Sequence, residues 1–255
     1  MSRVRWVNDS DERDELWLVV KRTINGSTKR YIEVMEYFFE GPLREDYTDN
    51  ARWQENEKDW RDAMVTSQKD AFYVDCGLTY DGAAVTSITG LTHLEGQTVK
   101  VLADGKVIAD KTVASGAITL TTAASKVQVG LAYKHRYESL KLATGARGGT
   151  SVNKVKGVSS CGMVLLDCAK FSVTTVEYDE QSGRREFDLL DVGFIRPQDD
   201  PAAAIPLFSG EVSPNTEMAA STDPRIYAES DAPLPFTMLA LAPVIQGSDR
   251  VSIRR

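Results

Sequence analysis

Leu16-Trp17-Leu18-Val19-Val20-Lys21-Arg22-Thr23-Ile24 runs into Asn25-Gly26 and on through Ser27 to Met35. Asn-Gly suits a two-residue type I′ turn, in which both central residues take positive φ. In the second arm Arg30, Ile32 and Val34 alternate with Tyr31 and Glu33, the period of two that a half-buried strand shows. The stretch predicts an antiparallel hairpin over residues 16–35, and with it a mainly β chain. A two-stranded hairpin is marginal by itself and its open edges invite pairing, so it must join a larger sheet. The residues before Val4 are too few to supply that sheet. Phe236 to Leu241, apolar and reached by a long proline-rich return, is the internal candidate, and a second polypeptide the external one.

Downstream the texture changes. Residues 44–69 are charged and polar, with Trp53, Trp60 and Met64 spaced seven and four apart. That spacing places all three on one face of a short amphipathic helix laid on a sheet, with Asp49 or Asn50 as N-cap. From Asp70 to Tyr137 short β-like runs (98–102, 106–108, 117–120, 126–131) are punctuated by Asp81-Gly82, Asp104-Gly105 and Ser115-Gly116. Turns about a dozen residues apart predict a small barrel-like module. Its core should include Val99, Val101, Val107, Ile118, Leu120, Val127 and Val129. Residues 143–156 read as a Gly, Thr and Ser loop. A second hairpin is expected from Phe171–Tyr178 and Arg185–Leu190. Prolines from Pro197 to Pro224 then disfavour helix. Residues 234–245 suit a buried strand, and 247–255 a frayed tail. Four segments result: an N-terminal hairpin (1–43), a helical connector (44–69), the small β module (70–137), and a β-hairpin and Pro-rich segment (138–255) packing back on the first hairpin. The expected class is mainly β, a small barrel-like module inserted between hairpins of a larger sheet assembly, with one short amphipathic helix.

Composition narrows the function. The chain has 255 residues, a formal charge of −7 and a pI near 5.0. Tight nucleic-acid binding rests on a basic surface that releases counterions, and no long Lys/Arg run offsets the acidic balance here. The N-terminus MSRVRWVNDSDERDE lacks the apolar region of a signal peptide. No run approaches the ~20 apolar residues of a membrane span, so a soluble protein is expected. Cys76, Cys161 and Cys168 are too few and odd in number for a disulfide framework.

Several segments together resemble the C-terminal part of the tail nozzle proteins of short-tailed phages, also called tail tubular or packaged-DNA stabilisation proteins. Residues 70–82 (DAFYVDCGLTYDG), Ile88-Thr89-Gly90-Leu91, His93-Leu94-Glu95-Gly96, residues 99–105 (VKVLADG) and 127–133 (VQVGLAY) are similar to a module of those proteins. That module is likened to the first catalytic cysteine half-domain of ubiquitin-activating enzymes, a likeness of β fold and not of a catalytic cysteine. The hairpin residues 19–26 with 30–33, and residues 206–212 and 231–243, resemble the segments flanking that module. The family carries a long propeller-like region ahead of this point. Since Met1 stands almost at the hairpin, that region is expected either on a separate chain or lost.

The resemblance implies a structural virion protein, made in the host cytoplasm and placed in the tail. It would extend the DNA channel, with packaged DNA in passive contact. It would assemble as a ring homo-oligomer, a hexamer, against other tail proteins including an adaptor and a separately encoded propeller chain. No enzyme activity, catalytic residue, metal or cofactor is expected. His93 and His135 are the only histidines and lie in no catalytic motif. Gly145-Ala146-Arg147-Gly148-Gly149-Thr150 lacks the Gly-Lys-Ser/Thr ending of a phosphate loop. Asp199-Asp200 and Asp179-Glu180 read as turn formers more readily than as a glycosidase pair. The main alternative is a carbohydrate-binding receptor-recognition module of the tail, in which exposed Trp or Tyr would stack on sugars. Trp17 sits in a strand, and Trp53 and Trp60 fit a packing face, which leaves Trp6.

Overall fold

The computed structural model describes residues 3–6, 15–42, 53–143, 145–146, 149–150, 154–179, 183–186, 188–197, 199–200, 202–215 and 221–251. The chain is mainly β, with one α-helix among the described residues and a curled half-barrel sheet among other antiparallel sheets. It divides into two compact units, Met1–Tyr133 with Asp200–Pro206, and Lys134–Asp199 with Leu207–Arg255.

In the first unit β1 (Arg3–Trp6), β2 (Glu15–Ile24) and β3 (Ser27–Met35) form a three-stranded antiparallel sheet. The β2–β3 ladder runs from Leu16↔Met35 to Ile24↔Ser27, and Asn25 (φ 47°) and Gly26 (φ 73°) close it as the type I′ turn requires. The third strand comes neither from Phe236 to Leu241 nor from a second polypeptide but from residues 3–6 of the chain itself. Arg3–Trp6 pairs with Glu15–Leu18, because four residues suffice for a ladder on an edge already laid down. The segment expected there pairs instead within the second unit.

Helix α1 (Trp53–Ser67) buries Trp60 and Met64, as their spacing demands. The Trp53 side chain and the caps at Asp49 and Asn50 lie outside the described residues. Beyond the helix end Gln68 is buried, and its Nε2 donates to the Gly105 carbonyl at 2.7 Å and the Ile205 carbonyl at 3.1 Å.

Strands β4 (Val74–Thr89), β5 (Thr98–Ala103), β6 (Lys106–Thr112) and β7 (Ala117–Ala132) make a sheet in the order β4-β7-β5-β6. Asp104-Gly105 and Ser115-Gly116 are turns with positive φ at every position. Asp81-Gly82 is not a turn. Asp81 pairs with Lys126, and the ladder resumes at Val85↔Ala124, so a bulge absorbs the dipeptide within one long strand. The runs 117–120 and 126–131 likewise belong to a single strand, β7. Val99, Val101, Ile118, Leu120, Val127 and Val129 are buried as expected, but Val107 is exposed. Ile108, opposite Val101, is the β6 residue that packs on the core. Ile24 and Tyr31 of the hairpin belong to the same core as the module.

The second unit begins with β8 (His135–Glu138), so the module's strands end at Ala132. β9 (Gly145–Ala146) and β10 (Gly149–Thr150) pair with each other. β11 (Lys154–Cys168) then starts inside the stretch expected to be a loop and becomes the middle strand of a sheet. β12 (Phe171–Asp179) receives its return arm in two pieces, β13 (Gly183–Glu186) on Val176–Asp179 and β14 (Leu190–Val192) on Phe171–Val173. β15 (Phe208–Val212), β16 (Pro224–Ser230) and β17 (Thr237–Val251) complete two sheets, β15-β11-β17 and β13-β12-β16-β8 with β14 also on β12. Their core holds Cys161, Met163, Leu165, Cys168, Phe171, Val173 and Ile226, with Phe194 stacked on Phe208 at 4.4 Å between ring centroids.

β17 corrects two expectations. It is half-buried by alternation, with Leu239 (61 %) and Val244 (51 %) exposed, because it is an outer strand with one covered face. It also continues to Val251, so residues 247–251 are ladder and not tail. Pro243 sits opposite Cys161 within it, a position an outer strand tolerates because one of its edges needs no N–H.

Candidate assembly surface

The hairpin's two faces differ because its residues alternate. On one side Ile24 is buried and Tyr31 packs against the first unit's core, its hydroxyl donating to the His93 carbonyl at 3.3 Å. Arg22 and Glu33 on that side bind each other, and Arg22 also reaches Asp75 of β4. The opposite side is formed by the cross-strand pairs Trp17↔Val34, Val19↔Ile32 and Lys21↔Arg30. Ile32 is 74 % exposed, and Val34, Val19 and Trp17 lie between 36 and 46 %. Tyr37 and Phe38, just past the strand, are exposed as well. Scattered apolar side chains are ordinary on a surface; here four stand together as cross-strand pairs on one side of a sheet. Trp17, read from the sequence as a strand residue, stands on this side of the hairpin.

A second feature occupies the β13-β12-β16-β8 sheet. Arg136, Glu138, Tyr178, Arg184, Tyr227 and Glu229 line an open groove of about 680 Å³. The Tyr178 hydroxyl donates to Glu138 at 2.7 Å, and that of Tyr227 to Glu229 at 2.6 Å. Hydrogen bonding to Glu138 and burial raise the Tyr178 phenol above its usual value. Arg184 lies 5.0 Å from the Tyr227 ring centroid and Arg225 4.1 Å from that of Tyr178. Arg184 pairs with Glu138, Arg136 with Glu229, and Arg225 with Glu138 and Asp223. Tyr227 itself is buried. The groove is an interlocked polar lattice, with acids and bases already matched.

The other residues singled out are dispersed. His93 Nε2 lies 3.0 Å from the Cys76 carbonyl, to which it must donate. His135 is half-buried against the edge of Phe236, and burial lowers its pKa. Burial pushes the Cys76 and Cys161 thiols up to about 11 and Cys168 to about 12, with the charge of Glu33 adding at Cys76. Neutral thiols are poor nucleophiles and poor metal ligands. Asp199 accepts from the Arg196 N–H and Asp200 from the Ala202 N–H, both at 2.8 Å, which is turn geometry. Glu180, Arg147 and Gly148, and the side chains of Trp6 and Asp179, lie outside the described residues. Among the described residues no three His, Cys, Asp or Glu side chains are grouped to hold a metal ion, and no helix is long and apolar enough to cross a membrane.

Compared with models of known protein families and with curated protein sequences, the chain gives no match.

Proposed function

We propose that this chain is a structural subunit of a phage tail, of the nozzle type, that works by assembling and not by catalysis. The observation that carries the reading is the water-facing apolar side of the β2–β3 hairpin, with Ile32 74 % exposed between Val19, Trp17 and Val34. A folded chain gains by covering such a face, and a neighbouring subunit is how repeated assemblies do so. The resemblance of residues 70–133, with its flanks in order, supplies the nozzle setting. In that setting the chain forms a ring of six in the virion, extends the DNA channel, and meets adaptor and propeller chains. The acidic balance suits a conduit along which DNA slides without adhering.

The sugar-binding alternative asks for a bare aromatic face. Tyr227 is buried, and Arg184 and Arg225 lie against the rings of the groove, which favours the structural reading. Cryo-electron microscopy of tails from the phage that encodes the chain tests the proposal. Six copies around the channel are expected; absence of the chain from particles overturns it, and specific glycan-array binding would favour the alternative.

A further inference from the structure

We infer that copies of this chain associate head to tail, the hairpin face of one seated on the β11–β17 face of the next; this rests on the reading of the chain as an assembling subunit. The first face is polar at one end. Trp17, Val19, Ile32 and Val34 are followed toward the turn by Lys21 and Arg30, paired across the strands and both exposed. The second face lies on the other unit. On the side of β11 and β17 away from their core, Leu166, Leu239 and Val244 are 43, 61 and 51 % exposed. Beside them β15 places exposed Glu211 opposite Val164, in one row with Ala240. One chain thus carries two open apolar sheet faces, one edged by cations and the other by a carboxylate.

The charges choose between the ways these faces can meet. Two hairpins related by a twofold axis would lay Lys21 and Arg30 of each on the apolar end of the other, desolvating cations without partners. Two hairpins side by side in the same sense would oppose cation to cation. The β11–β17 face offers apolar area to the apolar end and Glu211 to the basic end, a charge-complementary fit. Because the two faces differ, repeating the contact in one sense yields a closed ring or an open filament, and a twofold dimer arises from it only if two copies exchange both faces.

The test uses the full chain with Ile32→Cys in one preparation and Leu239→Cys in another, treated briefly with a short bismaleimide. The wild type serves as control for its three poorly reactive native thiols. A crosslinked dimer that forms in the mixture, and in neither preparation alone, is the expected result. Crosslinking of the Ile32→Cys protein to itself, or no dimer in the mixture, overturns the inference. Arg30→Glu should weaken association at least about tenfold by sedimentation, and adding Glu211→Arg should restore it; no recovery in the double variant counts against the pairing. A chain found in tails that fails the crosslink loses only this contact. One that crosslinks but is absent from particles loses only the tail assignment.

Discussion

Arg22 reaches across the hairpin to Glu33 and closes two parallel hydrogen bonds, Nε to Oε1 at 3.0 Å and Nη2 to Oε2 at 2.7 Å. Both side chains are about four-fifths covered, at 17 and 20 % exposure, and Nη1 extends to Asp75 at 3.3 Å. The pair joins the hairpin to β4. The hydrogen bond from Arg22 outweighs burial and holds Glu33 below its ordinary value of 4.5. A depressed carboxylate contributes stability that is fully present above 4.5 and lost as pH falls through its lower folded value. Glu33→Gln should therefore cost about 2 kcal/mol at neutral pH, and the gap to wild type should narrow below pH 4.5. Urea unfolding at pH 7, 4.5 and about 3 checks this; a gap independent of pH would contradict it.

Glycine does different work at two turns. A side chain at Gly26 would meet nothing within 4 Å, so Gly26→Ala bears only the cost of φ +73°, about 1 kcal/mol. At Gly105 a Cβ would lie 3.0 Å from the Val65 carbonyl oxygen as well as at φ +81°. Gly105→Ala should destabilise by clearly more, about 2–3 kcal/mol, and loosen the end of α1. Denaturation midpoints of the two variants, compared directly, decide the order.

Val101 and Val107 are both valines of the β5–β6 hairpin, but one is buried and the other 36 % exposed. Val101→Ala should cost about 2 kcal/mol through its cavity, and Val107→Ala within about 0.5 kcal/mol. Equal losses would show that β6 sits in the opposite phase.

The three thiols should be nearly silent toward Ellman's reagent at pH 8 in the native protein and react fully in urea. Raised values of about 11 to 12 leave little thiolate. Half-exposed Cys76 should react first, and buried Cys161 and Cys168 only on unfolding. Stoichiometric labelling of the native chain within minutes would refute the burial.

Legibility followed the turns. Asn25-Gly26, Asp104-Gly105 and Ser115-Gly116 could be read because their backbones need positive φ, and those dipeptides supply it at low strain. Asp81-Gly82 is the same signal in a strand that continues past it, since a bulge uses the same residue types. β11 escaped notice because Gly157, Ser159, Ser160 and Gly162 imitate a loop, although every one lies on the ladder or within it. The open hairpin face was only half legible. Alternation showed two faces, but Trp17, Val19, Ile32 and Val34 are as apolar as a core, and only the packing of Ile24 and Tyr31 reveals which side is covered.

The return of Asp200–Pro206 to the first unit sets a clock on synthesis. Lys106 and Gln68 bond to the carbonyls of Ala202 and Ile205, so that unit waits for residues made after the intervening Lys134–Asp199. At the ~5–20 residues per second of a ribosome, that interval lasts on the order of 3–13 s. Through those seconds Gln68 Nε2 has the Gly105 carbonyl but not yet that of Ile205, and a translational pause placed just after Tyr133 would lengthen the interval.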